Sequence, residues 1–445
     1  MAGDQGMSPR EVVSRLAAPG LGRRARWSAV RRRRLAAGAV VGTLALAGAL
    51  AGFVQGGGSP NPKGGSGTVV PSSRLTGGRA PAEPSVRTTL GDVTFPGRLA
   101  LPLPKTGEGA VYVPGLGFVG STPNERPVPM ASVTKVMTAY IILRDHPLSG
   151  SEGGPVFTMT KQDNLDYITA SENDESNVFV KAGERIDERQ LLEALLLPSA
   201  DNAADYLARW DAGSLVAFAT KMNAEARALG LTGTHYADAS GFNPRSVSTA
   251  RDQAVVAALA MENPVFRSIV DNTSLPLPTG RVWNYNPAVG VDGIVGVKSG
   301  FIQASQACLV TAAWRTVAGH RFLVVSSVLD QPLGLGYAAQ VDEALTVSAS
   351  AALVSRTVLA AGSVVGRAVA RSGASSPVSV SGGAVSVVGW PGLVLHPAVV
   401  PVPARASRLP AGATVALLEL GRPGEAPATA VPLVLDRPLA AGRSR

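Results

Sequence analysis

The sequence predicts an α+β domain whose antiparallel sheet takes strands from both ends of the segment. Three observations point there. Short β-like runs open the folded region near residue 109, a stretch with helical periodicity follows to about residue 271, and the apolar period then becomes two. With 445 residues, 45% hydrophobic and 16% charged, the chain is not a wholly disordered one. It is long enough for two domains with appendages, at roughly 100–200 residues each.

The N-terminal part reads as targeting. Residues 1–34 hold nine Arg and two acids, a balance of +7. Residues 35–54 (LAAGAVVGTLALAGALAGFV) carry no charge, which is enough to cross about 30 Å of hydrocarbon as a helix. The block Arg31-Arg32-Arg33-Arg34 before it predicts a cytoplasmic N-terminus with everything after Val54 outside. This single-pass anchor has a rival in a cleaved signal, because Ala47-Gly48-Ala49 is an A-x-A-like site. Residues 55–95, rich in Gly, Ser and Pro, read as an extended tether.

From residue 96 the pattern becomes that of a folded domain, expected to run to 345. Residues 109–115 and 117–121 predict a hairpin. ASVTKVMTAYIIL (131–143) has apolar residues at helical spacing. RQLLEALLL (189–197) predicts a helix with Asp187 and Gln190 as a capping box. Helices are expected over 214–230 and 250–271, the second capped by Ser248 or Thr249. Residues 293–301, 307–314 and 321–329 predict a meander of consecutive strands. Beyond 346 lysine disappears and Val, Ser, Ala, Gly and Pro dominate, which predicts a small all-β module over 346–445.

Several function classes fall away. One cysteine, Cys308, excludes an internal disulfide framework and a cysteine zinc site. Four widely spaced histidines without HExxH argue against a metalloenzyme; no metal and no cofactor are expected. The net charge of +9 resides at the two ends. Residues 346–445 contribute +6, whereas 35–345, with 23 basic and 27 acidic residues, sum to −4. With no basic face in the middle and aromatics at 5%, no nucleic-acid partner is expected.

Three short motifs carry chemistry, and each has a plain alternative. Ser132-Val133-Thr134-Lys135 puts a Lys ammonium beside a Ser hydroxyl, because helical residues three apart share a face. Ser132 could equally be a helix cap. Ser199-Ala200-Asp201-Asn202 follows Leu197-Pro198, and Ser199 there is also a good N-cap. Lys298-Ser299-Gly300 lies on a predicted strand, where lysine and hydroxyl could hold a carboxylate and glycine could admit close backbone approach. Its alternative is a strand end with a turn glycine.

In this order and context the motifs resemble those of the penicillin-recognising serine enzymes. Longer stretches resemble the D-alanyl-D-alanine carboxypeptidases, the low-molecular-mass penicillin-binding proteins, in their actinobacterial form: PVPMASVTKVMTAYIILRDHPL (127–148), VKAGERIDERQLLEALLLPSADNAADYLA (180–208), ALGLTGTHYADASGFNPRSVSTARD (228–252) and VDGIVGVKSGFIQASQACLVTAA (291–313). The resemblance covers about 105–335 and implies the transpeptidase/β-lactamase-like fold. It implies Ser132 as the acylated nucleophile, Lys135 as its general base and Ser199 as a proton relay. Lys298, Ser299 and Gly300 would bind the terminal carboxylate. The backbone N–H groups of Ser132 and Phe301 would form the oxyanion hole. The implied partners are peptidoglycan stem peptides as substrate and β-lactams as covalent inhibitors. The implied reaction removes the terminal D-alanine.

Two features depart from the family pattern. Its middle motif is Ser-x-Asn, and here Asp201 holds the third place while Asn202 lies one further on. Either residue could meet the substrate backbone, but an ionised Asp only accepts hydrogen bonds, and its charge favours protonated lysines. The arginine that some relatives carry after the second meander strand is missing from 328–337. Two other functions compete: a weakly active or non-catalytic wall-binding scaffold, supported by Asp201, and a β-lactamase-like hydrolase. The latter lacks support because Glu-x-x-Leu-Asn occurs nowhere in the chain.

Overall fold

The computed structural model describes residues 84–403, 408–423 and 427–440. The segments 1–34 and 35–54, with the anchor or signal expected there, lie outside the described residues, as does 55–83. Among the described residues no helix is long and apolar enough to cross a membrane.

A five-stranded antiparallel sheet organises the first unit. Its order is Ile294–Ile302, Gln306–Val317, His320–Gln331, Glu108–Val113, Gly117–Ser121. The meander and the hairpin are therefore neighbours, and the sheet takes strands from both ends of the segment. Ile294–Ile302 is an edge strand. Helices pack on one face over the main apolar core, which includes Val133, Met137, Ile141, Leu192, Leu195 and Phe266. The opposite face carries the helix Leu335–Ala352, which joins Val111, Val324 and Val328 in a second core.

The predicted helices differ in detail. The run at 131–143 opens with one 3₁₀ turn, Ala131–Thr134, before the α-helix Lys135–Asp145. The helix Glu188–Leu196 has the expected capping box, Asp187 accepting from Gln190 N and Gln190 from Asp187 N. The run 250–271 is two helices, Ala250–Ala260 and Pro264–Val270. Asn263 accepts from Val265 N and Phe266 N and restarts the chain at Pro264. Thr249, and not Ser248, caps the first of them.

Two expected boundaries need correction. The tether does not extend to 95, because Ser85–Thr88 pairs with Val364–Val369 and Val93–Thr94 pairs with Val394–Pro401. A few apolar side chains achieve this. Phe95 is buried in the second core, and Val86 and Leu90 pack against the C-terminal core. Likewise, a module starting at 346 would begin inside the helix Leu335–Ala352; its first strand is Val354–Leu359. Buried alanines at 338, 339 and 349 explain why that helix reads like the Ala-rich tail. The C-terminal unit is all-β, built on a seven-stranded sheet with Ser85–Thr88 at one edge and Val93–Thr94 at the other.

Candidate active site

The turn that carries Ser132 is held by buried neighbours. Val133, Val136 and Met137 are nearly inaccessible to solvent, and Ala131 takes a left-handed backbone (φ +49°) that aims the next residues at the Lys298 strand. Met130 precedes the turn without a side-chain cap, so Ser132 is no helix cap. Its Oγ instead accepts a hydrogen bond from Lys135 Nζ at 2.8 Å.

Lys135 is fully buried, and its ammonium donates to three acceptors: Ser132 Oγ, Asp201 Oδ1 at 2.5 Å and the Ser240 carbonyl at 2.8 Å. Three donors meet three acceptors. Burial pushes the Asp201 carboxyl upward, opposed by the Lys135 charge.

Ser199 also proves not to be a cap. The helix Asp201–Ala212 starts after Ala200 without a side-chain cap bond. Ser199 has a left-handed backbone (φ +65°), and its Oγ is buried without a hydrogen-bond partner. A buried hydroxyl left open is costly unless a ligand or water completes it.

Asp201 and Asn202 point to different places. Asp201 turns inward to Lys135. Asn202 donates to the Val178 carbonyl and accepts from the Val178 N–H, so both ends of its amide are engaged away from Ser132. In this geometry the Asn202 amide ties 178 to the helix.

Lys298 and Ser299 are both buried on the edge strand. Burial, and next the charge of Lys135, push the Lys298 amine well below the ordinary lysine range. Its Nζ donates to the Ser299 carbonyl. Gly300 is where strand and nucleophile turn meet. A Cβ there would lie 2.8 Å from Ser132 N and 3.1 Å from Met130 O. Only glycine lets the backbone of Gly300 and Phe301 come so near the Ser132 amide. The Phe301 side chain remains exposed. Among the described residues no group of His, Cys, Asp and Glu suited to a metal ion exists.

Sequence reasoning missed the loop 238–246. It supplies the Ser240 carbonyl to Lys135 and lies directly on the nucleophile turn. A Cβ on Gly241 (φ +81°) would fall 1.8 Å from the Ala131 carbonyl oxygen. The signal available was the string Asp238-Ala239-Ser240-Gly241, a turn-forming sequence between two helices.

Comparisons with known proteins find relatives of this chain. A family model described as D-alanyl-D-alanine carboxypeptidase matches residues 120–332. The chain is 34% identical over 202 residues to a D-alanyl-D-alanine carboxypeptidase of Streptomyces sp. strain K15, covering 41% of this chain and 67% of that protein. It is 34% identical over 206 residues to the D-alanyl-D-alanine carboxypeptidase DacB2 of Mycobacterium tuberculosis, covering 44% of this chain and 65% of the relative. The crystal structure of the D-alanyl-D-alanine carboxypeptidase DacD from Francisella tularensis shares the fold, with a TM-score of 0.53 at 20% identity over 76% of this chain and 94% of that one. The fold, the motif geometry and the extended identity to the Streptomyces protein together place this chain in the D-alanyl-D-alanine carboxypeptidase family.

Proposed function

We propose that the chain is a serine D-Ala-D-Ala carboxypeptidase that trims peptidoglycan stem peptides and is acylated by penicillins. The observation that carries this reading is the 2.8 Å contact between the buried Lys135 Nζ and the partly accessible Ser132 Oγ. Ser132 Oγ attacks the carbonyl between the two terminal D-alanines while its proton passes to Lys135 in its neutral amine form, after the ammonium has released a proton. The C–N bond breaks, the leaving amine takes a proton relayed through Ser199, and water hydrolyses the ester. The amides of Ser132 and Phe301 serve the developing oxyanion. Lys298 and Ser299 hold the terminal carboxylate. The free edge of Ile294–Ile302 offers backbone groups to an extended peptide.

Two assays test this reading. Incubation with a pentapeptide ending in D-Ala-D-Ala should release D-alanine, and a fluorescent penicillin should label the wild type covalently while leaving Ser132→Ala unlabelled. Labelling that survives the substitution removes Ser132 from the mechanism. A wild type that binds penicillin without releasing D-alanine would favour the scaffold reading.

The same proposal includes an extracytoplasmic location with residues 35–54 as an uncleaved anchor, supported by the arginine block before a 20-residue uncharged run. External protease on wall-stripped cells should then degrade the part after Val54. A mature N-terminus near Leu50 would show a cleaved signal instead.

A further inference from the structure

Asp238 is not among the hydrogen-bond partners of Ser132 or Lys135, yet both of its carboxylate oxygens are engaged by its own loop. Oδ1 accepts from Gly241 N at 2.9 Å and from Ser246 Oγ at 2.6 Å. Oδ2 accepts from Asn243 N at 2.8 Å and from Ser240 Oγ at 3.2 Å. Four donors converge on one side chain, and all belong to the loop 238–246 that carries the Ser240 carbonyl. The turn is anchored beyond itself as well. Thr138 Oγ1 donates to the Ala239 carbonyl at 2.7 Å, and Met130 N donates to the Ser246 carbonyl at 3.2 Å. The loop is thus fastened at one end to the helix Lys135–Asp145 and at the other to Met130, just before the turn that carries Ser132, and is tied in the middle by one carboxylate.

We propose that Asp238 is a positioning residue for acyl transfer: it fixes the turn 238–243 so that the Ser240 carbonyl holds Lys135 Nζ against Ser132 Oγ. This rests on the reading of Lys135 as the base. The geometry explains why the turn must be rigid. Ser240 O is one of three acceptors around Nζ, and the other two, Ser132 and Asp201, pull the ammonium in their own directions. Without a fixed carbonyl, the amine is free to swing toward Asp201 and away from the serine. Gly241 cannot loosen to compensate, because its α-carbon is already packed on the Ala131 carbonyl. A carboxylate suits the task because it offers acceptor positions to four donors at once, whereas an amide offers one oxygen.

The test measures penicillin acylation of the full chain under saturating and subsaturating conditions, which separates the acylation rate from the binding constant, with thermal melting alongside. Asp238→Ala should lose at least about thirtyfold in saturating rate with affinity within about threefold, since only the placement of the base changes. Asp238→Asn keeps an acceptor for Gly241 N and Ser246 Oγ and should recover to within about fivefold of wild type. A wild-type rate in both variants, or a loss confined to affinity, overturns the proposal. Should Asp238→Ala fail to fold, Ser246→Ala decides: it removes one of the four bonds and should lower the rate about threefold at unchanged affinity. A wild-type rate in that variant likewise overturns the assignment. Absence of labelling in the wild type would overturn the acyl-transfer reading itself, before any variant is compared.

Discussion

Asp201 and Lys135 form an ion pair inside the candidate site, with Oδ1 2.5 Å from Nζ and both side chains almost completely removed from solvent. The family pattern has an amide at this place. A carboxylate here binds the ammonium more tightly than an amide can, and it leaves no N–H for a substrate carbonyl.

Asp201→Asn should therefore raise the acylation rate by at least about fivefold, where tenfold corresponds to ~1.4 kcal/mol. Timed labelling with one β-lactam measures it. A slower variant would make the carboxylate part of the mechanism.

Asn202→Ala should leave that rate within about twofold, because the amide is engaged by Val178 and not by the site. It should instead lower stability by about 1–3 kcal/mol, since two backbone groups lose their partner. Melting and labelling on the same preparation separate the two effects.

Gly300→Ala should keep the strand and lose acylation by at least about a hundredfold, as expected when an oxyanion donor is displaced. The added methyl would press on Ser132 N, so either the nucleophile turn or the Phe301 amide must move. Near-normal labelling of this variant would mean that the close approach is not needed.

Asp342→Asn should alter stability in a pH-dependent way. Asp342 is buried between the helix Leu335–Ala352 and the sheet; Oδ1 accepts from Ser326 Oγ and Oδ2 has no partner. Burial pushes its carboxyl up to about 7. The folded state thus holds the proton more tightly than the unfolded chain, so this contribution is complete below about pH 4 and is lost as pH rises to about 7. The variant should match wild type near pH 4 and exceed it by about 1–3 kcal/mol at pH 8. Denaturant melts at the two pH values check this; equal differences at both would reject it.

Much of this arrangement was legible from residues alone, for reasons that can be named. The edge strand, the meander and the capped helix at 188 follow from periodicity and local hydrogen bonding, which are properties of neighbouring residues. Ser132 and Lys135 were legible because three-residue spacing brings side chains together in either helical form, the 3₁₀ turn that carries Ser132 running directly into the α-helix that starts at Lys135. The choice between Asp201 and Asn202 was not, since it depends on where Val178 lies after 24 residues of intervening chain. The Ser240 carbonyl was hidden for another reason: a backbone acceptor has no residue-type signature. The helix Lys161–Glu172 escaped notice because it buries only Ala170 fully and so shows little apolar stripe, although Thr160 and Asp163 form a capping box.

The seven-stranded sheet has a consequence for how the chain is made. Its outermost strands, Ser85–Thr88 and Val93–Thr94, are synthesised first, but their partners Val364–Val369 and Val394–Pro401 come some 300 residues later. The peptidase unit is thus inserted in the chain between the two outermost strands of this sheet and all its other strands. During synthesis it can complete its own five strands while the first two remain unpaired edges, a state that invites pairing with foreign chains. Closure waits for Thr429–Leu435, which joins the two halves of the sheet between Ser375–Val380 and Thr414–Gly421. A ribosome stalled before that strand would hold a folded catalytic unit on an open, adhesive base.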